Sequence, residues 1–187
     1  MKDEAAAHFL VIDLEATCDE ARRIRSRHME IIEIGSVLVD ATTLAVVGEH
    51  QTFVKPVRHP VLTELCTKLT TITQVDVENA PGFPEAVASL ARFIGDREVL
   101  FCSWGDYDRR QFEQDAAFHR VALPFGGKHL NVKKAFSEQL GEERRYGMAG
   151  ALERVGLELQ GTHHRGIDDA RNIARLLPWA LGLRPST

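Results

Sequence analysis

The sequence contains no apolar run approaching the roughly 18 residues that a membrane-spanning helix needs, so no membrane partner is expected. Its opening MKDEAAAH carries acids and no long apolar stretch, which argues against an export signal. Cysteine is scarce. Cys18, Cys66 and Cys102 are odd in number, far apart and without a C-x-x-C spacing, which argues against both a disulfide framework and a thiolate zinc site. They read as free core cysteines in a reducing, cytoplasmic setting. No segment is rich in proline, glycine and serine together, and no period of about 20 to 50 residues marks a repeat. These absences leave one domain over residues 1–187, with a core from about 8 to 182 and only the first few residues and the RPST tail outside it. A basic excess is missing too: the formal net charge is −4, against the usual footprint of a phosphate-binding surface. The basic residues are bunched instead, as Arg22, Arg23, Arg25 and Arg27, then Arg109 with Arg110, Lys133 with Lys134 and Arg144 with Arg145. Such clusters are either solvated faces or local fields suited to a polyanion.

What is present is a regular succession of apolar patterns. FLVID is a continuous apolar run, as expected of a strand covered on both faces. IIEIGSVLVD reads as a second strand, ATT as a turn, and LAVVGEHQTFVKP as a third strand ended by Pro56. Two tight connections imply an antiparallel meander. A short helix or two is expected between Leu62 and Asn79. In PEAVASLARFIGD, Val87, Leu90, Ala91 and Ile94 recur at helical spacing between a first-turn proline and Gly95. EVLFCSW is a fourth strand, followed by a helix over DRRQFEQDAAFHRV. HLNVKKAFSEQL is strand or helix, since periodicity does not arbitrate there. MAGALERVGLEL is helical through Val155, with Gly156 as its stop. A last helix, DDARNIARLLPWAL, turns Ala170, Ile173, Ala174 and Leu177 inward and has acids in its first turn. Together these predict a mixed α/β sheet flanked by helices.

The acids raise the chemical question. Asp13 and Glu15 stand at i and i+2 on an extended segment, so both side chains leave the same face, about 7 Å apart along the strand, a spacing that can hold two metal ions. An isolated D-x-E is common by chance, and partners are what give it weight. Two places offer them. VLFCSW runs into GDYDRRQF, which puts Asp106 and Asp108 just past the carboxyl end of a buried strand, where open α/β sheets gather ligands. HHRGIDDARNIARL places a histidine five residues before an acid in two registers, His163 with Asp168 or His164 with Asp169.

Taken together, IDLEATC, SWGDYDRRQF and HRGIDDARNIARL resemble the DEDDh exonucleases, the DnaQ-like branch of the RNase H-like fold. DLEATC, EIIEIG, LTTITQ and DDARNIARL are similar to a narrower branch, the ERI-type exonucleases that trim RNA 3′ ends, together with the bacterial KapD-like proteins. The resemblance runs in order from about Phe9 to Trp179. It implies a mixed five-stranded sheet, a three-strand antiparallel meander plus parallel strands, and four acids binding two divalent cations, Mg²⁺ or Mn²⁺. By the family's motifs these acids are Asp13, Glu15, Asp108, which has Phe112 as its D-x-x-x-F anchor, and Asp169. Asp106 is then a neighbouring surface acid. H-x-G-[LI]-D-D reads as His164, Gly166, Ile167, Asp168 and Asp169, with His164 the catalytic base, Asp168 a helix-start acid and His163 a solvent-facing neighbour.

On this resemblance four clustered carboxylates would repel one another, and two divalent cations would supply the balancing charge. The all-oxygen set suits a hard cation rather than zinc. The implied activity is 3′-to-5′ hydrolysis of single-stranded nucleic acid, RNA favoured, releasing nucleoside monophosphates. The implied substrate contacts are Glu15, Ala16, Thr17, Leu65, Leu69, Thr70, Tyr107 and His164, with Lys133, Arg144 and Arg145 as phosphate contacts. Leu65 and Leu69 also read as core, and Trp104 as packing. LTTIT stands where many relatives have LTGIT, which puts a close backbone approach near Thr71 in question. No added nucleic-acid-binding domain is expected, leaving substrate selection to the catalytic domain or a protein partner. Two rivals remain: a DNA exonuclease, separated only by recognition of the 2′-hydroxyl, and a KapD-like regulatory binding protein with an unused nuclease fold.

Overall fold

A computed structural model describes residues 6–20 and 23–183; Arg22 of the basic cluster and the RPST tail lie outside the described residues. Five strands form one sheet: β1 (His8–Ala16), β2 (Ile31–Asp40), β3 (Val46–Phe53), β4 (Val99–Ser103) and β5 (His129–Asn131), in the order β3-β2-β1-β4-β5. β1, β2 and β3 pair antiparallel, while β4 and β5 run parallel to β1, as the predicted mixed sheet requires. The helices are α1 (Glu64–Thr70), α2 (Gln74–Glu78), α3 (Phe83–Ile94), α4 (Tyr107–His119), α5 (Val132–Gln139), α6 (Met148–Arg154) and α7 (Gly166–Ala180). HLNVKKAFSEQL, ambiguous in pattern, is both: its first three residues pair with β4, and Asn131 then caps α5 by accepting a hydrogen bond from the Lys134 amide.

The continuous apolar run in β1 is explained by two covered faces. Leu10, Ile12 and Leu14 pack with Phe101 against Phe83, Leu90 and Phe112 of α3 and α4. Val11 points the other way with Val37 and Cys102, into a second core closed by Phe136, Leu152, Ile173 and Leu177 of α5, α6 and α7. The strand's period of two therefore puts Asp13 and Glu15 on the α7 face. Ala170, Ile173, Ala174 and Leu177 are all buried there, as their spacing predicted.

One expectation needs correction. Only the β2–β3 connection is tight, where the Asp40 carboxylate accepts hydrogen bonds from the amides of Thr42 and Thr43. β1 and β2 are joined by residues 17–30, with a single 3₁₀ turn at Ser26–His28. Thr71, in LTTIT, adopts φ 60° and ψ 4° at the end of α1, a left-handed conformation that glycine adopts at less cost than a β-branched residue.

α7 reaches the sheet through a glycine pair. A Cβ on Gly35 of β2 would lie 2.0 Å from the carbonyl carbon of Gly166, the first residue of α7. One on Gly166 would lie 3.0 Å from the Asp13 carbonyl oxygen. The helix thus begins in backbone contact with β1 and β2. Gly35→Ala is expected to cost about 3 kcal/mol, since neither backbone can yield by enough. Gly126→Ala, with nothing within 4 Å of the added carbon, should change stability by less than about 0.5 kcal/mol. Urea denaturation of the two variants checks the contrast.

Candidate active site

Three elements bring their acids to one cleft of about 400 Å³. β1 supplies Asp13 and Glu15, α4 supplies Asp108 from its first turn, and α7 supplies Asp169 from its first turn. Ligand oxygens of Asp13, Glu15 and Asp169 lie within 4.8 Å of one another. Asp108 lines the same cleft and is held by the Leu14 amide, which donates to its Oδ1 at 3.1 Å. A β-bulge between Glu15 and Ala16 breaks the β1–β2 ladder where the acids emerge. A larger cavity, about 890 Å³, opens at the amino ends of β1 and β4 against Phe125; none of the predicted catalytic residues lines it.

The electrostatics follow from burial and crowding. Burial, followed by Asp108, Glu15 and Asp169, drives the Asp13 carboxyl well above the usual range. Burial and Asp169 push Glu15 from 4.5 up to about 8. Asp108 rises to about 7 by burial, against the pull of the Leu14 amide. Burial also raises Asp169, opposed by its hydrogen bond to His163. Carboxylates that would rather hold protons than face one another are what a cation site made of oxygen donors looks like without its cations. The donor set of Asp13, Glu15, Asp108 and Asp169 therefore fits divalent metal ions, which these residues would hold.

The histidine segment is arranged in an unexpected way. His163, taken as a solvent-facing neighbour, is part exposed but sets its Nδ1 2.9 Å from Asp169 Oδ2. His164 gives Asp169 its backbone amide at 3.0 Å, adopts φ 64°, and stacks its ring on His163 at 3.9 Å between centroids. Both line the cleft. Burial and the neighbouring His163 lower the His164 pKa, so its imidazole is neutral near pH 7.

Other expectations divide. Ala16, Leu69 and Tyr107 line the cleft, with Leu69 and Tyr107 exposed. The Thr17 side chain does not reach it: the residue is buried and its hydroxyl accepts from the Glu30 amide. Thr70 is buried as well and donates its hydroxyl to the Cys66 carbonyl. Leu65 faces a separate depression beside Asp19 and Glu64. Asp106 stands outside the acid cluster, near His129. Lys133, Arg144 and Arg145 do not line the cleft; Arg144 lies over the Tyr146 ring and Arg145 pairs with Glu138. Trp104 both packs on Phe136 and borders the cleft.

Glu33 was missed as a functional residue. It pairs across the ladder with Glu15, is fully buried, and accepts from the Gly166 amide at 3.0 Å and from Arg165 Nε at 3.2 Å. Gln51 donates to its second oxygen. Glu33 thereby ties the histidine segment to β2. The signal was an acid inside the otherwise apolar IIEIGSVLVD. Met29, Cys18 and Met148 also line the cleft, and nothing in their local pattern marks them.

Comparison with known proteins agrees with this geometry. A family model described as Exonuclease (RNase_T) matches residues 10–177. Mouse 3′-5′ exoribonuclease 1 is 31% identical over 178 residues, covering 90% of this chain and 51% of that protein. The 3′-5′ exonuclease eri1 of Schizosaccharomyces pombe is 27% identical over 91% of this chain and 66% of its own. The nuclease domain of 3′hExo, a DEDDh family member solved bound to rAMP, superposes with TM-score 0.85 at 28% identity, covering 94% of this chain and 92% of that one. The chain spans about half the length of mouse exoribonuclease 1 and less than a third of mouse ERI1 exoribonuclease 2.

Two outcomes follow for the metal-free protein. The folded carboxyls are raised above their unfolded values, so between about pH 4.5 and 8 the folded state holds protons that the unfolded chain has released. Stability in chelator should be greatest below that window and fall as pH rises through it. Mn²⁺ should restore the melting temperature more at about pH 8 than at about pH 5, as thermal scans can show. Separately, Glu33→Gln leaves Arg165 without its partner. It should cost about 2 to 3 kcal/mol in urea denaturation, below the full penalty of a buried pair because Arg165 is partly exposed.

Proposed function

The chain belongs to the exonuclease family, and from that membership we propose that it is a metal-dependent 3′-to-5′ exoribonuclease of DEDDh type, acting on single-stranded RNA 3′ ends and releasing nucleoside 5′-monophosphates. The observation that carries the proposal is the convergence of Asp13, Glu15 and Asp169 within ligand distance of one another, with Asp108 and His164 on the same cleft. RNA is favoured over DNA because the relatives at about 30% identity are named exoribonucleases. The four acids hold two divalent cations, Mg²⁺ or Mn²⁺. When bound, such ions supply charge neutralisation at the scissile phosphate and a more acidic water.

The protein's own groups do the rest. His164, neutral near pH 7 and beside Asp169, accepts the proton of the attacking water at a ring nitrogen. The Glu15–Ala16 bulge presents backbone toward the terminal sugar, while the exposed faces of Leu69 and Tyr107 flank the terminal base. Stacking on Tyr107 would be worth about 1 to 3 kcal/mol. Thr17 and Thr70 are buried behind this surface rather than touching substrate, and Leu65 lies at a separate depression. Three free cysteines accord with a cytoplasmic setting. A protein partner for substrate choice remains part of the proposal.

The test uses purified protein, Mn²⁺ and end-labelled RNA and DNA strands, with Asp13→Ala as the inactive control. Mononucleotides should appear from the RNA 3′ end with wild type and not with the variant. Shortening of DNA alone would move the assignment to a DNA exonuclease, and shortening of neither would favour a binding protein. His164→Ala should lower kcat by about 10²- to 10⁴-fold while leaving Mn²⁺ uptake largely intact. A larger loss from His163→Ala than from His164→Ala would reverse the histidine register.

A further inference from the structure

The acid cluster is not the only donor set in the cleft. A second group consists of His163, His164 and Asp169, with one ligand atom from each lying within 4.8 Å of the others. Its chemistry differs from that of Asp13 and Glu15. Two imidazoles and a carboxylate suit a borderline cation such as Zn²⁺, whereas oxygen donors alone suit Mg²⁺ or Mn²⁺. His163 is also surplus to the H-x-G-[LI]-D-D pattern, in which His164 already fills the histidine position.

The spacing is close to what zinc requires. With bonds of about 2.0 to 2.1 Å, tetrahedral donors stand about 3.3 Å apart. His163 Nδ1 lies 3.1 and 2.9 Å from the two Asp169 oxygens, a separation near that of two tetrahedral donors, in a hydrogen bond whose proton a bound cation would have to displace. The His164 ring, stacked 3.9 Å from that of His163, needs a side-chain rotation to bring a nitrogen onto the same point. The His163 side chain is 41% exposed, which leaves solvent access and an open fourth position.

We propose that His163, His164 and Asp169 form a second, nitrogen-containing cation site that takes Zn²⁺ and, by occupying Asp169, competes with cation binding at the acid cluster. Zinc capture itself depends only on the three side chains. The competitive consequence rests on the reading of Asp169 as a ligand of the catalytic ions. Zinc would then act as an antagonist that removes both a carboxylate and the candidate base from the working arrangement.

The experiment reads binding, so an inactive nuclease would not obscure it. Zn²⁺ alone is titrated by calorimetry into wild type, His163→Gln and Asp13→Asn, and Co²⁺ is used as an absorbing substitute. One high-affinity equivalent is expected in wild type and in Asp13→Asn, with a Co²⁺ spectrum of tetrahedral intensity, and at least a tenfold weaker affinity in His163→Gln. Equal affinity in His163→Gln, or loss in Asp13→Asn, would place zinc on the acid cluster and overturn the site. Free Mn²⁺ followed by electron paramagnetic resonance tests the antagonism. Zinc at one equivalent should release Mn²⁺ from wild type, and zinc bound at His163 without such release would overturn the competition.

Discussion

The start of α7 can rest on the backbone of β2 only because both residues at the contact are glycine. Gly35 allows an approach that a Cβ would block, and a Cβ on Gly166 would press, less severely, on the Asp13 carbonyl oxygen at 3.0 Å. That contact fixes the distance between the strand that carries Asp13 and Glu15 and the helix that carries Asp169. Neither the hydrophobic cores nor the helix macrodipole would by themselves set it so closely. The apolar packing of Ile173 and Leu177 holds α7 against the sheet along its length, but the glycine pair determines where its first turn lies. Glu33 adds direction: it accepts the Gly166 amide and the Arg165 side chain, so the helix begins facing the cleft.

Within this arrangement charge works against stability. Asp13, Glu15, Asp108 and Asp169 share a partly dry space, and Glu33 stands close enough to raise the first two further. The fold compensates unequally. Asp108 has the Leu14 amide, Asp169 has the His164 amide and the His163 ring, and Glu33 has Arg165. Among the described residues no hydrogen-bond donor or basic side chain partners the Asp13 or Glu15 carboxylate, so these two bear the strongest demand for external positive charge. A site of this kind stores unfavourable electrostatics in the apo protein and releases it on cation binding, which is a reason for the acids to sit on rigid strands and helix starts rather than on loops.

Much of this was legible in the sequence, for identifiable reasons. The strands and helices declared themselves because their apolar residues kept period two or 3.6, and the buried sheet made β1 and β4 continuous runs. The acids were legible because the family's motifs are spaced along the chain in order. What failed depended on side-chain direction in three dimensions. Thr17 and Thr70 follow substrate-like patterns, yet their hydroxyls satisfy backbone groups of residues 30 and 66, which local sequence does not display. The link from β1 to β2 read as tight because a strand pattern gives no measure of the loop before it. His163 is exposed, as read, but its contact with Asp169, six residues on, is not displayed by the local sequence.

The adjacent acids at the start of α7 show how one turn of helix separates two tasks. Successive residues on a helix point about 100° apart, so Asp168 and Asp169 cannot both enter the cleft. Asp169 does, while Asp168 turns outward to accept the Thr162 amide and pair with Arg171, which in turn binds Glu49 of β3. Gly161 belongs to the same brace, for a Cβ there would lie 2.4 Å from Asp168 Cγ. The histidine segment is therefore clamped from behind by Asp168 and from below by Glu33, with His163 and His164 at the span between them. A short span held at both ends can keep the left-handed φ of His164 and set its half-buried ring, stacked on His163, at the edge of the cleft beside Asp169.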